Sequence, residues 1–269
     1  MPKKQMIRAA LPCFLCWLGL LPALVLLAGC PPRVCCRLER IPAKESDARY
    51  HRQTYQVMKR VLRADSTAVD VGSYKGNVLA QMVQLAPRGT HYAFEPIPKF
   101  AQVVRKRFPA PRIKVHEMAL GSRTGFATFQ HVTTNPAYSG LKRRGYPSKS
   151  EVVTPIKVRI DTLDNVLPAD AKVAFLKIDV EGGEYGVLQG AVKTIRRCRP
   201  VIVLEFGSAA LKYGVNSAKL YRLLHDTLGL RVNLMSCWLR GKPALTLAQF
   251  KEQYSAARNY YYIAYPAPK

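Results

Sequence analysis

The sequence predicts an α/β fold in which helices cover both faces of a mostly parallel, seven-stranded sheet. Three observations predict it. An apolar run at 66–71 is followed by a glycine-bearing turn and by helical spacing over 77–85. A second apolar run, 173–178, leads in the same way into acidic residues and a helix that begins near 183. A chain of 269 residues with 48% hydrophobic content is also long enough to bury one sizeable core.

The remaining elements complete a single domain over 46–269. Further strands are predicted at 201–206, 230–234 and 260–265, and further helices at 217–228 and 247–254. Two additional strands, at 125–131 and 151–160, interrupt the simple alternation of strand and helix. No internal repeat suggests a second domain.

The turn after the first strand, residues 70–76, is predicted to hold a nucleoside cofactor. A dinucleotide fingerprint needs a glycine where Tyr74 stands, and the carboxylate of Asp70 would repel a phosphate. S-adenosylmethionine has no phosphate and is cationic, so it suits Asp70 and Gly72 better. Glu95 follows the next strand and is placed to accept both ribose hydroxyls. The alternative is a turn in which the glycines only satisfy backbone geometry.

Three carboxylates follow the second apolar run, at Asp179, Glu181 and Glu184. The helix dipole favours an acidic residue in a first helical turn, which accounts for Glu184 as a capping residue. It does not account for Asp179, because that residue ends a strand expected to lie beside the first strand. Asp179 is therefore predicted at the edge of the cofactor crevice.

The motifs follow one another in the order of a known family. The string Leu-Lys-Ile-Asp-Val-Glu-Gly-Gly-Glu at 176–184 is preceded by Ile-Asp-Thr-Leu-Asp at 160–164, Ala-Leu-Gly at 119–121, Phe-Glu-Pro at 94–96 and Asp-Val-Gly at 70–72. From about 68 to 207 the sequence closely resembles the FkbM-type methyltransferases. The resemblance implies a class I, Rossmann-like fold that uses S-adenosylmethionine, usually to methylate a hydroxyl of a sugar, glycolipid or polyketide.

The resemblance also implies roles for residues at matching positions. The implied cofactor contacts are Asp70, Gly72, Ser73, Glu95, Met118, Ala119 and Asp179. Met118 and Ala119 would lie beside the adenine. Asp179 and Glu181 would line the place where methyl donor and acceptor meet, as the predicted catalytic residues. A hydroxyl is a poor nucleophile without a base, and His131 and Glu205 are weaker candidates for that base. No motif requires a metal, although clustered carboxylates can hold magnesium.

Residues 133–144 are predicted to recognise the acceptor, because variable loops on a rigid scaffold carry specificity. Tyr138 is suited to stacking. Three basic residues are suited to anionic groups: Lys142, Arg143 and Arg144. The expected partner is a small-molecule acceptor: a carbohydrate, a glycolipid or a related metabolite.

The formal net charge of +25 leaves two other functions open. One is an RNA methyltransferase, since Asn-Pro-Ala-Tyr at 135–138 resembles the Asn-Pro-Pro-Tyr motif of amino-methylating enzymes. In those enzymes the motif follows the fourth strand, but in this sequence residues 179–182 occupy that place. No RNA-binding module is recognisable either, so nucleic acid is not the expected partner. The other is a catalytically inert, membrane-tethered binding protein, which the retention of Asp70, Glu95 and Asp179 disfavours.

Residues 1–45 are predicted to associate with a membrane. A basic start precedes 21 uncharged residues, 9–29, a run long enough to span a bilayer. Basic residues are denser after this run, which favours an anchor with a cytoplasmic catalytic domain at 46–269. The alternative is an exported lipoprotein, because Leu-Ala-Gly-Cys fits a lipobox that would leave Cys30 lipidated. The oligomeric state is not indicated by the sequence.

Overall fold

The computed structural model describes residues 43–146 and 148–267. Its strands are β1 (Thr67–Val71), β2 (His91–Phe94), β3 (Ile113–His116), β4 (Ala119–Leu120), β5 (Gly125–Val132), β6 (Val153–Asp161), β7 (Val173–Ile178), β8 (Val201–Glu205), β9 (Leu230–Asn233) and β10 (Tyr261–Pro266). Its α-helices are α1 (Ala43–Val61), α2 (Asn77–Leu85), α3 (Pro98–Arg107), α4 (Leu163–Val166), α5 (Glu184–Gln189), α6 (Val192–Cys198), α7 (Ser217–Arg222), α8 (Met235–Leu239) and α9 (Leu247–Ser255). Short 3-10 turns are present at Pro136–Tyr138 and Ser208–Tyr213.

The central sheet has seven strands in the order β3-β2-β1-β7-β8-β10-β9. Neighbouring strands pair in parallel except at β10, which runs antiparallel to both β8 and β9. The predicted α/β fold with a mostly parallel, seven-stranded sheet is therefore confirmed. The strand order changes direction between β1 and β7. At such a point an α/β sheet opens a crevice at the carboxyl ends of its strands.

Alternate residues of the central strands pack on opposite faces of the sheet. On one face, Phe175, Val203 and Ile263 form a cluster with buried side chains of α1, α2 and α8. On the other, Tyr262 packs against Phe250 of α9, with ring centroids 4.6 Å apart. Because successive strand residues point to opposite faces, a sheet covered on both sides needs continuous apolar strands. This explains why the apolar runs contain few polar residues.

The two additional strands predicted before β7 are present as β5 and β6. They pair antiparallel, with Gly125 opposite Ile160, and β4 joins the other edge of β6 in parallel. The loop that follows β5 is tied back to it, since the amide of Gln130 donates to the carbonyl of Gly140 at 2.8 Å. The segment predicted to recognise the acceptor is thus supported by a small sheet.

Two predicted helices differ in the structure. The helix predicted from near 183 is divided into α5 and α6 at Gly190, where an added Cβ would lie 2.0 Å from the carbonyl oxygen of Gly121. This close approach of two backbones ends the first helix. The helix predicted at 217–228 is α-helical only as far as Arg222, and a π turn at Leu223–Thr227 follows. Neither α1 nor α8 is predicted from the sequence.

The predicted membrane segment, 9–29, and the lipobox that ends at Cys30 lie outside the described residues. Within 43–146 and 148–267, no helix has the length and apolar character needed to cross a membrane. Helix α1 begins at Ala43, so the predicted domain boundary after residue 45 falls in its first turn. Membrane attachment and the boundary stay predictions.

Candidate active site

A cleft of about 970 Å³ opens at the carboxyl ends of β1, β2, β7 and β8. Parallel α/β sheets bind ligands at this edge. Most of the predicted site residues line it: Asp70, Gly72, Ser73, Glu95, Met118, Ala119, Tyr138, Arg144, Asp179 and Glu181. Lys142, Arg143 and His131 lie outside it. The fold thus brings the predicted cofactor turn, the carboxylates and part of the loop around one space.

The turn after β1 is fixed by its contacts with β2 and β7. The amides of Gly72 and Ser73 donate to the carbonyl of Phe94 at 3.0 and 3.1 Å. Gly72 has a φ of +82°, and an added Cβ would lie 1.9 Å from the carbonyl oxygen of Asp179. Only glycine allows both this backbone conformation and this approach. The turn and the end of β7 therefore form one rigid corner of the cleft.

Glu95 is held at the cleft wall by two backbone amides. One carboxylate oxygen accepts from the amide of Tyr74 at 2.8 Å and the other from the amide of Ile97 at 2.9 Å. Burial raises the pKa of Glu95 to about 7, although these two hydrogen bonds oppose the rise. Each carboxylate oxygen accepts more than one hydrogen bond, so both keep capacity for a ligand hydroxyl.

Asp70 lies deeper, at the base of the cleft, with 1% of its surface exposed. Among the described residues its Oδ2 atom has no hydrogen-bond partner. Burial raises the pKa of Asp70 to about 6; the charge of Lys177 lowers it and the charge of Asp179 raises it. A buried, unpaired carboxylate oxygen is costly, and a cationic ligand would offset that cost.

Asp179 is tied to two donors from different strands. Its Oδ2 accepts from the Lys177 ammonium at 2.7 Å and from the Tyr261 hydroxyl at 2.6 Å. Burial alone would raise the pKa of Asp179, but the charge of Lys177 and the hydrogen bonds to the carboxylate hold that pKa below its ordinary value. Asp179 is therefore an ionised, firmly oriented carboxylate. Tyr261 comes 82 residues later, and no local pattern in the sequence marks it.

Glu205, the last residue of β8, is hydrogen-bonded to Asp179. Burial and then the charge of Asp179 raise the pKa of Glu205 well above its ordinary value, because two neighbouring carboxyl groups resist carrying charge together. Carboxylate oxygens of Asp179, Glu181 and Glu205 lie within 4.8 Å of one another. Lys177 and Arg144 supply the positive charge beside this group.

Glu181 adopts a left-handed backbone with a φ of +57°, which is strained for a residue other than glycine. Its carboxylate forms an ion pair with Arg144, which comes from the loop after β5. The Arg144 guanidinium lies 5.0 Å from the centre of the Tyr138 ring. Next to Glu181, an added Cβ on Gly182 would lie 2.7 Å from the carbonyl carbon of Ala209. The loop is thus fastened across the cleft onto a tightly packed turn.

Lys142 and Arg143 lie on the same loop as Arg144 but do not line the cleft. The Lys142 ammonium donates to the carbonyl of Lys212 at 3.0 Å and lies 5.3 Å from the centre of the Tyr213 ring. Arg143 is exposed. Of the three basic residues predicted to bind the acceptor, only Arg144 lines the cleft. A contribution of the other two to acceptor binding stays a prediction.

Glu184 is the first residue of α5, and its side chain holds the turn before the helix rather than capping the helix itself. Its Oε1 accepts from the amides of Val180 at 3.2 Å and Gly182 at 2.9 Å, which fixes the turn before α5. The residue is 1% exposed, and its Oε2 has no hydrogen-bond partner within the described part of the chain. Burial raises the pKa of Glu184 to about 7. The sequence predicts only a structural role at the start of the helix. It does not predict the burial of Glu184, its unpaired oxygen or its raised pKa.

Several residues that line the far wall are not predicted from the sequence: Asp47, His51, Tyr254, Tyr260 and Tyr261. The hydroxyl of Tyr260 donates to Asp47, and the hydroxyl of Tyr50 donates to Asn259 at 3.0 Å. These contacts join α1 to the start of β10 across more than 200 residues of sequence. Glu205, a weaker candidate for the base in the sequence, also lines this wall.

Comparison with known proteins identifies related sequences. Residues 70–229, more than half of the chain, match a family described as the methyltransferase FkbM domain. Over 190 residues the chain is 26% identical to the 2-O-methyltransferase NoeI of Sinorhizobium fredii (strain NBRC 101917 / NGR234). That alignment covers 65% of this chain and 76% of the relative.

Solved structures also show similarity. The methyltransferase FkbM from Methylobacillus flagellatus KT has a TM-score of 0.47 and 16% identity, covering 76% of this chain and 44% of that chain. The chain therefore spans less than half the length of that protein. A precorrin-6y C5,15-methyltransferase from Geobacter metallireducens GS-15 has a TM-score of 0.39 and 17% identity, covering 73% of this chain and 76% of that chain.

Proposed function

The chain belongs to the FkbM family of S-adenosylmethionine-dependent methyltransferases, and we propose that it methylates a hydroxyl of a carbohydrate, a glycolipid or a related metabolite. The observation that carries the proposal is the group of carboxylates and tyrosines at the end of the cleft away from the β1 turn. Carboxylates accept hydrogen bonds from hydroxyls and take up protons, and aromatic rings offer apolar faces for a sugar ring. The similarity to a 2-O-methyltransferase supports an oxygen acceptor.

The cleft residues fit a cationic nucleoside cofactor. When bound, S-adenosylmethionine supplies a methyl group on a positively charged sulfur. The unpaired oxygen of Asp70 and the nearby charge of Asp179 suit the positive groups of this ligand. Glu95, held by two amides, presents its carboxylate to hydroxyls, and Met118 with Ala119 offers an apolar surface for a base.

Methyl transfer is an in-line displacement, so the main task of the residues is to align the acceptor oxygen with the methyl group. We propose that Asp179 and Glu181 line the place where donor and acceptor meet. Arg144 and Tyr138 lie on the loop that faces Glu181, and they are the proposed contacts for the acceptor.

An RNA acceptor is disfavoured by the lining of the cleft. Its carboxyl groups outnumber its cationic groups, and they belong to Asp47, Asp70, Glu95, Asp179, Glu181, Glu184 and Glu205. A phosphodiester backbone would be repelled by such a lining. Most of the basic residues that give the chain its formal net charge of +25 therefore lie outside the cleft.

The proposal is tested with the purified full-length chain in detergent and S-adenosylmethionine carrying a tritiated methyl group. Carbohydrate, lipid and RNA extracts of the host are offered separately. We expect label in the carbohydrate or lipid extract and none with Asp179→Asn. Label in RNA alone would contradict the proposal. Binding of S-adenosylmethionine without transfer to any extract would favour the inert binding protein.

We further propose that residues 9–29 attach the protein to a membrane, with the catalytic domain in the cytoplasm. The support is the sequence: an uncharged run of 21 residues with more basic residues after it than before it. Cytoplasmic placement also gives the enzyme access to its cofactor. An exported lipoprotein with a lipidated Cys30 is the alternative.

A further inference from the structure

Glu205 lies on the acceptor side of the cleft. The turn after β1 and Glu95 after β2 form the nucleoside side, and the sheet order β2-β1-β7-β8 places Glu205 two strands away from β1. Glu181 and Tyr260 lie near it, and Tyr254 lines the same cleft. In the proposed function, a carboxyl at this position is on the side assigned to the acceptor.

Two other carboxyls on this side have partners that stabilise their ionised forms: Asp179 accepts from Lys177 and Tyr261, and Glu181 forms an ion pair with Arg144. Such partners make a carboxylate a weaker base. Burial raises the pKa of Glu184 to about 7, but Glu184 is 1% exposed and its Oε1 accepts from two backbone amides, whereas Glu205 is partly exposed. Among the residues that the structure describes, no nitrogen donor is hydrogen-bonded to Glu205, whose partner is Asp179.

We propose that Glu205 is the catalytic base that accepts the proton of the acceptor hydroxyl, an inference that rests on the proposed function. The hydroxyl oxygen forms a bond to the methyl carbon while its proton passes to the Glu205 carboxylate. The bond between that carbon and sulfur breaks, and its electron pair leaves with sulfur as a neutral thioether. The proton is later released from Glu205 to water, which restores the carboxylate.

The surroundings of Glu205 explain how the carboxylate becomes available. It faces Asp179 and Lys177 of the β7 end, Glu184 of α5 and Tyr261 of β10. Tyr260 is also near it. In the ligand-free protein, burial and the Asp179 charge raise the pKa of Glu205, which favours its protonated form. A positively charged ligand in the cleft favours loss of this proton. Binding of S-adenosylmethionine should therefore release a proton that depends on Glu205.

Proton release is measured without any acceptor. Titration calorimetry with S-adenosylmethionine at pH 7.5, in phosphate and in Tris, gives the number of protons released because the two buffers differ in ionisation enthalpy. We expect Glu205→Gln to release about one proton fewer than the wild-type protein while its affinity changes less than threefold. Equal proton release by both proteins would overturn the proposal. Failure of the wild-type protein to bind at all would instead count against the proposed function.

Turnover is the second measurement, on the acceptor extract that the wild-type protein labels. We expect Glu205→Gln to lower kcat at least 100-fold, within the range for loss of a general base. Glu205→Asp, which keeps a carboxyl, should recover at least tenfold over Glu205→Gln and retain a rise of kcat with pH. Glu117→Gln, an exposed residue paired with Arg105, is the matched surface control. Wild-type kcat in Glu205→Gln would overturn the proposal. So would an equal loss in the Gln and Asp variants.

Discussion

At the scale of single residues, the close packing of the turn after β1 against the end of β7 depends on Gly72. Its φ is +82°, and an added Cβ would lie 1.9 Å from the Asp179 carbonyl oxygen. Gly241 has a similar φ of +67°, but nothing lies within 4 Å of the position of its missing Cβ. Comparing substitutions at the two glycines therefore separates the energetic cost of the left-handed backbone from the cost of a steric clash.

We expect Gly72→Ala to lower the free energy of unfolding more than Gly241→Ala. The left-handed conformation costs alanine about 1 to 2 kcal/mol at either position, and the clash adds to this cost only at Gly72. Urea denaturation of both variants measures the difference. Equal losses would show that the turn moves away from Asp179 without cost.

Glu95→Ala should weaken binding of S-adenosylmethionine by about 1.5 to 3 kcal/mol, the range for hydrogen bonds to a charged group. The reason is that two amides hold its carboxylate at the wall of the cleft. Titration calorimetry measures the affinity, with Glu117→Ala as the surface control. Unchanged affinity in a folded Glu95→Ala protein would remove Glu95 from the cofactor site.

The buried carboxyls also predict a pH dependence of stability. Burial raises the pKa of Asp70 to about 6 and those of Glu95 and Glu184 to about 7. The unfolded chain loses these protons near its ordinary values of 3.8 and 4.5, so between about pH 4 and 7 the folded state binds more protons. Its stability must fall as the pH rises through this interval.

We therefore expect the free energy of unfolding of the ligand-free protein to be at least about 1 kcal/mol lower at pH 7.5 than at pH 5, since one pKa unit corresponds to about 1.4 kcal/mol. Urea denaturation at the two pH values measures it. Asp70→Asn should reduce the difference, because one of the raised carboxyls is removed. Higher stability at pH 7.5 would show that these groups ionise freely in the folded protein.

At the scale of elements, the loop after β5 closes one side of the cleft. Contacts that fasten it include the backbone pair of Gly140 with Gln130, the Lys142 amide bound to the Tyr213 hydroxyl at 3.0 Å, and the ion pair of Arg144 with Glu181. Only the last of these lies in the cleft. One part of the loop therefore anchors it, and another part, at Arg144, can contact the acceptor.

Arg144→Ala should raise the KM for the acceptor at least tenfold, as expected for loss of a hydrogen bond to a charged group, and leave the affinity for S-adenosylmethionine nearly unchanged. Arg143→Ala is the matched control, since Arg143 is exposed on the same loop. Steady-state kinetics on the labelled extract and calorimetry measure the two quantities. Loss of cofactor affinity in Arg144→Ala would assign the loop to the cofactor site or to the fold.

At the scale of the whole molecule, the described domain consists of the seven-stranded sheet with its two helix layers and the small sheet of β4, β5 and β6, and it begins with α1 at Ala43. Helix α1 packs into the core through Val57 and Met58, and the hydrogen bond of Tyr50 to Asn259 ties it to the segment before β10. We therefore expect a stable catalytic domain to require α1 and place the boundary for a truncated protein before Ala43 rather than after residue 45.

Deletion of residues 1–42 should give a soluble, folded protein that binds S-adenosylmethionine as the full chain does. Deletion of residues 1–61, which removes α1, should lower its stability and serves as the comparison. Circular dichroism, calorimetry and membrane fractionation check these outcomes. Full-length protein in the soluble fraction would contradict the anchor. Mass spectrometry of the mature N-terminus separates a lipidated Cys30 from an intact 9–29 segment.

The order of the elements and the position of the predicted cofactor turn can be read from the sequence alone. Helix α2 has the predicted bounds of 77–85, and β5 differs from its prediction by one residue. These features depend on apolar periodicity and on glycine turns, which act over a few residues. Glu95 and Asp179 were predicted at the crevice because the carboxyl ends of parallel strands meet at one edge of a sheet.

The charge states and partners of the site residues depend on how the folded strands assemble. The sequence does not show that Tyr261 and Lys177 bind the same oxygen of Asp179, or that Arg144 is paired with Glu181. It also gives no reason to rank Glu205 above Asp179 as a base. Proton affinity depends on burial and on neighbouring charges, and these follow from which strands become neighbours. β7, β8 and β10 lie side by side although β9 intervenes in sequence, so the site could be assembled only by the folded sheet.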